Sequence, residues 1–209
     1  EFQRDNPGID IRIDASDVQV DLETSDVDLA LRYAMPAGAT QGGIRLFGEQ
    51  LAVVASPWLL KSGKPLRTPA DVAQFTLIEA GDAHRTHYLE YLSWRRWFDT
   101  RDLTKLQPQR WLYFNYAHQI VQAALAGQGL ALARMPLIAD ALAAGDLVEV
   151  LPGHRIDSPL AYWLMVGPRS AQRPEIKAFC AWLQVQAEAT RQAIGDVPDP
   201  DLNDNLDGS

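Results

Sequence analysis

The sequence predicts an α/β protein with two similar lobes and a cleft between them. Strand-like segments alternate with helical segments along the chain, which indicates a mainly parallel sheet covered by helices. Two segments, 20–32 and 120–134, share one pattern: a helix end, a turn and an apolar strand closed by arginine. The copies lie about a hundred residues apart, a spacing that suits two lobes and not a solenoid. Because open α/β sheets bind small molecules at strand ends, the cleft is the expected functional site.

The first lobe begins with an alternating segment. Residues 9–14 place apolar and polar side chains in turn, which is the period of a strand. Ser16 and Asp17 follow as good N-cap residues for a short helix that ends at Glu23. Residues 27–33 alternate again and predict a second strand. The other predicted elements of this lobe are a strand over 44–54 and helical turns that begin at Pro57 and Pro69.

The second lobe begins with a short apolar strand near residue 75. An amphipathic helix is predicted over 116–126, and Gly127 or Gly129 supplies the left-handed cap that ends it. Its other elements are strands over 75–78, 111–114 and 130–133 and helices over 88–99 and 136–143. A strand over 160–166, apolar on both faces, and a helix that begins at Pro174 return the chain to the first lobe.

These elements predict the domain organisation. Residues 1–75 and 162–195 form the first lobe, residues 76–161 form the second, and two chain crossings make a hinge. Residues 196–209 carry aspartates among proline, glycine and asparagine, which predicts an acidic, disordered tail.

Composition excludes several classes of function. The net charge of −8 argues against direct nucleic-acid binding by this chain, because phosphates are neutralised by a basic surface. No apolar run approaches the ~20 residues of a membrane span, so no membrane association is expected. Cys180 is the only cysteine, which excludes an intrachain disulfide and a multi-cysteine zinc site and favours a reducing, cytoplasmic setting.

No residue pattern points to catalysis, so we predict that the chain is not an enzyme. The sequence contains no nucleophile elbow, phosphate-binding loop or dinucleotide-binding glycine motif, and no cofactor is predicted. His84 and His87 are three residues apart, but no carboxylate follows at a useful interval, so loop imidazoles are favoured over a metal site. His118 lies in the first turn of a helix and is a candidate for ligand contact.

Two predicted helix starts favour an anionic ligand. Ser16 follows a strand and opens a helix, where free N–H groups and the helix dipole attract negative charge; the alternative is a plain N-cap. Asn115 and Tyr116 hold the equivalent place in the second lobe. Arg32 ends its strand and either neutralises the ligand or pairs with Asp28 or Asp14. An anionic or zwitterionic metabolite fits this set.

A series of short motifs gives the chain a family resemblance. Phe2-Gln3 and Pro7 precede the first strand, and Val20–Leu22 and Asp28–Arg32 follow it. The later motifs are Leu51–Pro57, Leu59–Leu60, Pro65–Leu66, Pro69–Val72, Leu77–Ile78, Trp97–Phe98, Gln122–Leu132, Gly145–Val148 and Phe179–Leu183. Their order and spacing, up to about residue 187, resemble the effector-binding domain of LysR-type transcriptional regulators. The Trp97–Phe98 helix and the strand over 131–134 are most similar to the branch typified by the glycine-cleavage and β-lactamase regulators.

The resemblance implies a fold and a mode of action. It implies two Rossmann-like subdomains joined by two crossover strands, as in type 2 periplasmic binding proteins, with a small effector bound between them. Effector binding would alter how an N-terminal winged helix-turn-helix domain, absent from this chain, engages promoter DNA. The residues that the resemblance assigns to the cleft are Ser16, Asp17, Arg32, Tyr33, Phe114, Asn115, Tyr116 and Ala133.

The resemblance also leaves an alternative open and implies self-association. The family's opening strand and the start of its first helix have no match in this chain, so one wall of the effector pocket is expected to be missing. A stand-alone periplasmic solute-binding protein of the same architecture is the alternative, and upstream sequence would distinguish the two. A homodimer or homotetramer is implied, with the face of Val18 and Leu22 and the face of Ile120 and Leu125 as candidate interfaces.

Overall fold

The computed structural model of the chain describes residues 1–16, 18–39, 42–62, 65–81 and 89–196. The helices are α1 (Phe2–Asp5), α2 (Pro36–Ala39), α3 (Pro57–Ser62), α4 (Trp94–Asp99), α5 (Ala117–Leu125), α6 (Met135–Ala144) and α7 (Pro174–Ile194). The strands are β1 (Leu29–Ala34), β2 (Ile44–Ala55), β3 (Thr76–Ala80), β4 (Arg110–Phe114), β5 (Leu130–Arg134), β6 (Val148–Glu149) and β7 (Ile156–Val166). Two 3₁₀ helices cover Pro69–Gln74 and Leu89–Leu92.

The chain divides into two units. The first comprises Glu1–Gly48 and Leu160–Ser209, and the second comprises Glu49–Pro159. The chain passes between them inside β2 and inside β7. The sequence predicts the first crossing near residue 75, whereas the structure has it at Gly48, because the second half of β2 pairs with β5 of the second unit.

The first unit is built on an antiparallel strand pair and the long helix α7. Strand β1 pairs with β7 from Leu29 opposite Val166 to Ala34 opposite Ala161. Leu46, Leu164 and Ala187 form the buried centre of one cluster, against which further side chains of β1 and α7 pack. Gly195 ends α7 in the left-handed conformation, with φ of 72°. These contacts bury the apolar face of an otherwise exposed helix.

Asp196, the first residue of the predicted disordered tail, is held by hydrogen bonds. Its carboxylate accepts two hydrogen bonds from the Arg45 guanidinium, at 3.0 and 3.1 Å, and one from the backbone N–H of Gly48 at 2.8 Å. The rest of the predicted tail, residues 197–209, lies outside the described residues. The first residue of the predicted tail is therefore fixed by a charged contact, which composition does not reveal.

Two elements predicted for the first lobe are wrong. Residues 9–14 form no strand and pair with no strand in the part of the chain that the structure describes; Ile13 is 87% exposed. Residues 18–23 do not form the predicted helix, because nearby side chains accept hydrogen bonds from the backbone N–H groups instead. Ser16 Oγ accepts the N–H of Val18 at 3.1 Å, and the Asp21 carboxylate accepts the N–H of Glu23 at 2.9 Å. Such local bonds compete with helix formation.

The second unit contains a block of three parallel strands. Strand β3 pairs with β4 from Thr76 opposite Arg110 to Ala80 opposite Phe114, and on its other side with β5. Strand β2 is antiparallel to β5, and β6 is antiparallel to β2. The α/β class is as predicted, but the sheet is mixed, since only this block is parallel. Its core contains the fully buried side chains of Trp94, Trp97, Leu77 and Leu130.

The helix predicted over 88–99 is two shorter elements. Ser93 separates the 3₁₀ helix from α4, and its hydroxyl caps α4 by accepting the N–H of Arg96 at 3.2 Å.

The sequence leaves open whether Gly127 or Gly129 is the left-handed residue that ends α5, and the structure distinguishes them. Gly127 follows the helix with φ of 71°, so it is the left-handed residue. No described helix combines the length and the apolar composition needed to cross a membrane.

Candidate functional site

The carboxyl edge of the parallel block is the candidate site in the second unit. Strands β3, β4 and β5 run in one direction and end at Ala80, Phe114 and Arg134. The N–H of Gly81 donates to the carbonyl oxygen of Phe114 at 2.7 Å and so holds the first two strand ends together. Open α/β sheets bind ligands outside the carboxyl ends of their strands. Phe114, the first of the predicted second-lobe ligand residues, ends one of these strands, and its ligand contact stays a prediction.

The turn between β4 and α5 brings three predicted residues together at this edge. Phe114 is half-buried, whereas Asn115 and Tyr116 are exposed. The backbone N–H of Tyr116 donates to Gln119 Oε1 at 3.2 Å, and its ring stacks on His118 with centroids 5.6 Å apart. The helix α5 begins at the next residue, so its positive end faces this turn. The predicted helix start is confirmed.

A buried ion pair underlies the end of β5. Arg134 Nε lies 2.8 Å from both carboxylate oxygens of Glu49. The Glu49 side chain is completely buried, and the Arg134 side chain is 18% exposed. A buried carboxylate without a counter-ion would lower the stability of the fold. The Arg134 guanidinium supplies the charge that balances Glu49. Sequence reasoning missed Glu49; its only signal was a charged residue inside the strand-like segment 44–54.

The side chain of Ala133 is less accessible to a ligand than the resemblance implies. Its side chain is 2% exposed, and it lies opposite Ala52 in the β2–β5 pair. Only its backbone or its neighbours offer a surface at this edge. Its role as a ligand residue stays a prediction.

The first-unit residues have structural contacts. Arg32 Nη2 donates to the carbonyl oxygen of Val20, so its partner is neither Asp28 nor Asp14. Asp28 instead accepts from Arg173 Nη1 at 2.8 Å and from the Ser170 hydroxyl. Of the two alternatives that the sequence leaves open for Arg32, the structure does not show the pairing with an aspartate, because a backbone carbonyl accepts from its guanidinium.

The other first-unit candidates are Tyr33, Ser16 and Asp17. Tyr33 lies in β1 opposite Tyr162, with ring centroids 5.0 Å apart. Ser16 is exposed and has no helix behind it, so the argument from a helix dipole no longer applies to it. Asp17 lies outside the described residues. Ligand contacts of all three stay predictions.

The described residues offer no metal centre. Within the ranges that the structure covers, no three histidine, cysteine, aspartate or glutamate side chains come together as potential ligands. His84 and His87 fall outside those ranges.

Comparison with known proteins identifies relatives over most of the chain. The family model of the LysR substrate binding domain matches residues 1–188. The glycine cleavage system transcriptional activator of Escherichia coli K12 is 33% identical over 191 residues, which cover 91% of this chain and 60% of that protein. The transcriptional activator AmpR of Pseudomonas aeruginosa is 28% identical over 184 residues, which cover 88% of this chain and 58% of that protein. The chain thus spans about 60% of these relatives' length.

Solved structures agree with this comparison. The effector domain of AmpR from Pseudomonas aeruginosa superposes with a TM-score of 0.64 and 26% identity, and the match covers 93% of this chain and 87% of that one. The regulatory domain of CrgA from Neisseria meningitidis superposes with a TM-score of 0.66 at 18% identity, covering 89% and 88% of the two chains. These neighbours confirm the predicted fold class, that of the type 2 periplasmic-binding-like effector domains.

The relatives are transcriptional regulators and not enzymes, which confirms the prediction that this chain is not an enzyme. They also confirm the family resemblance and the branch named from the Trp97–Phe98 helix. The match to residues 1–188 is the decisive observation, because it covers both units of the fold. The chain belongs to the LysR substrate-binding domain family.

Proposed function

We propose that this domain senses a small anionic or zwitterionic metabolite for a LysR-type transcriptional regulator. The regulators among its relatives support this function, and they do not favour a periplasmic solute-binding protein. In this proposal the effector lies in the cleft predicted between the subdomains. A helix-turn-helix domain elsewhere in the full-length protein, in the cytoplasm, carries the response to promoter DNA.

The observation that carries the proposal is the carboxyl edge of the second unit. Asn115 and Tyr116 are exposed there, immediately before the positive end of α5. Backbone N–H groups at a helix start favour a carboxylate or phosphate over a cation. Arg32 and Tyr33 are the first-unit residues that we assign to the same effector, together with Ser16 and Asp17.

Self-association is the second part of the proposed function. We assign homodimer or homotetramer formation to the full-length regulator. Val18 is 75% exposed in the first unit, whereas Leu22 is 9% exposed, so only the Val18 part of the first candidate face is accessible to a partner. Ile120 is 8% exposed, so the part of the second candidate face that it forms is buried in its own unit. Light scattering at micromolar concentration tests this part; an intact protein that is only monomeric contradicts it.

The effector part is tested by a thermal-shift screen of the full-length protein. Amino acids, aromatic acids and cell-wall fragments are the compounds to screen. A compound at a hundred times its dissociation constant stabilises the folded state by about 2.7 kcal/mol. For a compound that binds, Asn115→Ala should weaken affinity, whereas Gln122→Ala, at an exposed position of α5, should not. Binding of cations alone, or equal effects of the two variants, contradicts an anion site at this edge.

A further inference from the structure

A basic depression lies on the surface of the second unit. It is bordered on one side by α4 and the turn that follows α4, and on the other by the start of β7. Its volume is about 530 Å³, and it is open to solvent. The charged and titratable side chains that line it are Arg96, Arg101, Arg155, His154 and Asp157. It shares no residue with the carboxyl edge described above. Three guanidinium groups at one depression are unexpected in a protein of net charge −8.

Arg101 is a fixed cation whose contacts are all neutral. Its guanidinium donates to the carbonyl oxygens of Trp97, His154 and Arg155 and to the Thr100 hydroxyl. Its guanidinium carbon lies 4.2 Å from the centroid of the Trp97 ring. Its Nε is buried and has no hydrogen-bond partner among the described residues. Burial lowers the pKa of this guanidinium, which is the direction expected for a charge without a counter-ion.

Arg96 lies at the same depression as the Arg101 charge and uses few of its N–H donors. Its Nη2 donates to the backbone carbonyl of Asp157 at 3.2 Å, and its guanidinium carbon lies 5.0 Å from the centroid of the Tyr91 ring. No carboxylate forms an ion pair with Arg96 or Arg101 within the described ranges. A guanidinium has five N–H groups, so most of those of Arg96 face solvent or a ligand.

The remaining charged side chains at the depression balance only part of the charge of Arg96 and Arg101. Arg155 donates to both carboxylate oxygens of Glu149, at 2.9 and 2.8 Å, and these bonds raise the pKa of Arg155. The Asp157 carboxylate accepts from Gln50 Nε2 at 2.7 Å. Among the arginines and carboxylates, Arg155 and Glu149 cancel, and Asp157 offsets one of the two other arginines. One net positive charge is left.

We infer that this depression binds a small oxyanion, a phosphate or a carboxylate group, through the donors of Arg96 beside the fixed charge of Arg101. Oxyanions match the planar fork of arginine and form shorter, stronger hydrogen bonds than neutral acceptors. The bound anion supplies the counter-charge that the described residues do not. Arg101 also anchors the loop before β7, so its substitution tests folding as well as binding. Arg96 is the residue to vary.

Nuclear magnetic resonance on the full chain tests this inference. The probe signal is the indole N–H of Trp97, which donates to the carbonyl oxygen of His154 at the depression. Inorganic phosphate and acetate are titrated separately, with sodium chloride holding the ionic strength constant. We expect a saturable shift with at least one of them, and which one binds distinguishes phosphate from carboxylate. Arg96→Gln should weaken that binding about tenfold, the loss of charge-assisted hydrogen bonds.

Arg95→Gln is the matched control, because Arg95 is exposed on α4 and does not line the depression. It should keep the affinity within about twofold, since it removes an equal charge without removing a contact. Equal losses in the two variants would mean that only the general charge of α4 attracts anions. That result, or a Trp97 signal that moves no further than with chloride alone, overturns the inference.

Discussion

Arg134 Nε lies 2.8 Å from both carboxylate oxygens of Glu49, and the Glu49 side chain is completely buried. Glu49 is the first residue of the second unit, and Arg134 is the last residue of β5. The pair therefore joins β2 to the strand end at the candidate site. A buried carboxylate is tolerable there only while the guanidinium stays beside it.

Removing either partner of this pair should destabilise the chain strongly. We expect Glu49→Ala to lower the free energy of unfolding by about 3 kcal/mol, since it removes the carboxylate that balances Arg134. Arg134→Ala should cost at least as much, because it leaves a completely buried carboxylate. Urea denaturation at pH 7 measures both values.

The double variant Glu49→Leu/Arg134→Met is the control for this pair. Apolar side chains of similar volume avoid the desolvation cost, so the double variant should be more stable than either single alanine variant. If the losses of the two single alanine variants simply add in Glu49→Ala/Arg134→Ala, the two side chains act independently, and the ion pair is contradicted.

The helix α5 is predictable from the sequence, whereas the buried ion pair of Glu49 is not. The sequence predicts α5 within a residue at each end, because its apolar face repeats at helical spacing and a glycine follows it. Glu49 was missed, because a buried charge is explained only by its partner, and Arg134 lies 85 residues away. Local patterns predict elements, whereas pairing between distant residues needs the fold.

Gly129 should tolerate alanine less well than Gly145. A Cβ at Gly129 would lie 2.4 Å from the carbonyl oxygen of Thr76, a backbone atom that cannot move aside. We expect Gly129→Ala to cost about 3 kcal/mol, the upper range for overpacking. Thermal or urea denaturation measures the change.

Gly145→Ala is the control, because it tests backbone strain without a clash. Gly145 has φ of 77° and nothing within 4 Å of a Cβ there. It should cost about 1 kcal/mol, the left-handed penalty alone. Equal costs at the two glycines would contradict a steric role for Gly129.

Phe2 should stabilise the first unit, although it lies at the start of the chain. Its side chain is 4% exposed, and its ring centroid lies 5.0 Å from that of Phe179 and 5.7 Å from that of Trp182. We expect Phe2→Ala to lower the free energy of unfolding by about 3 kcal/mol through lost apolar burial and ring contacts. Urea denaturation followed by circular dichroism measures it.

Gln3→Ala is the matched control in the same short helix, because Gln3 is exposed. It should change stability by less than about 0.5 kcal/mol. If Phe2→Ala behaves like this control, the segment 1–5 does not contribute to the stability of the unit.

The segment 9–24 shows where sequence reasoning failed. Alternation over 9–14 predicts a strand only where another strand supplies backbone partners, and the described residues supply none. Ser16 and Asp21 are N-cap residue types, but they bond their own local backbone in turns. The same side-chain chemistry serves a cap or a turn, so residue type alone does not decide between them.

The contact of Asp196 with Arg45 and Gly48 should make stability depend on pH. Burial raises the pKa of the Asp196 carboxyl, but the hydrogen bonds from Arg45 and Gly48 outweigh it and hold the pKa below its usual value. A carboxyl whose pKa is lowered by folding adds stability above its unfolded pKa of about 4, and that stability is lost as pH falls through the folded pKa. Asp196→Asn should therefore be less stable than the parent by about 2 kcal/mol at pH 7, the size of a lost charged hydrogen bond.

The pH profile separates this electrostatic contribution from packing. The difference in unfolding free energy between the parent and Asp196→Asn should stay constant between about pH 6 and pH 8 and shrink below about pH 4, where the parent carboxyl also becomes neutral. Urea denaturation at matched pH values measures this difference. Asp99→Asn, at an exposed position, should change stability by less than about 0.5 kcal/mol at pH 7. If the loss in Asp196→Asn were the same at pH 3 as at pH 7, the role of Asp196 would be packing, because the charge of its carboxylate would contribute nothing.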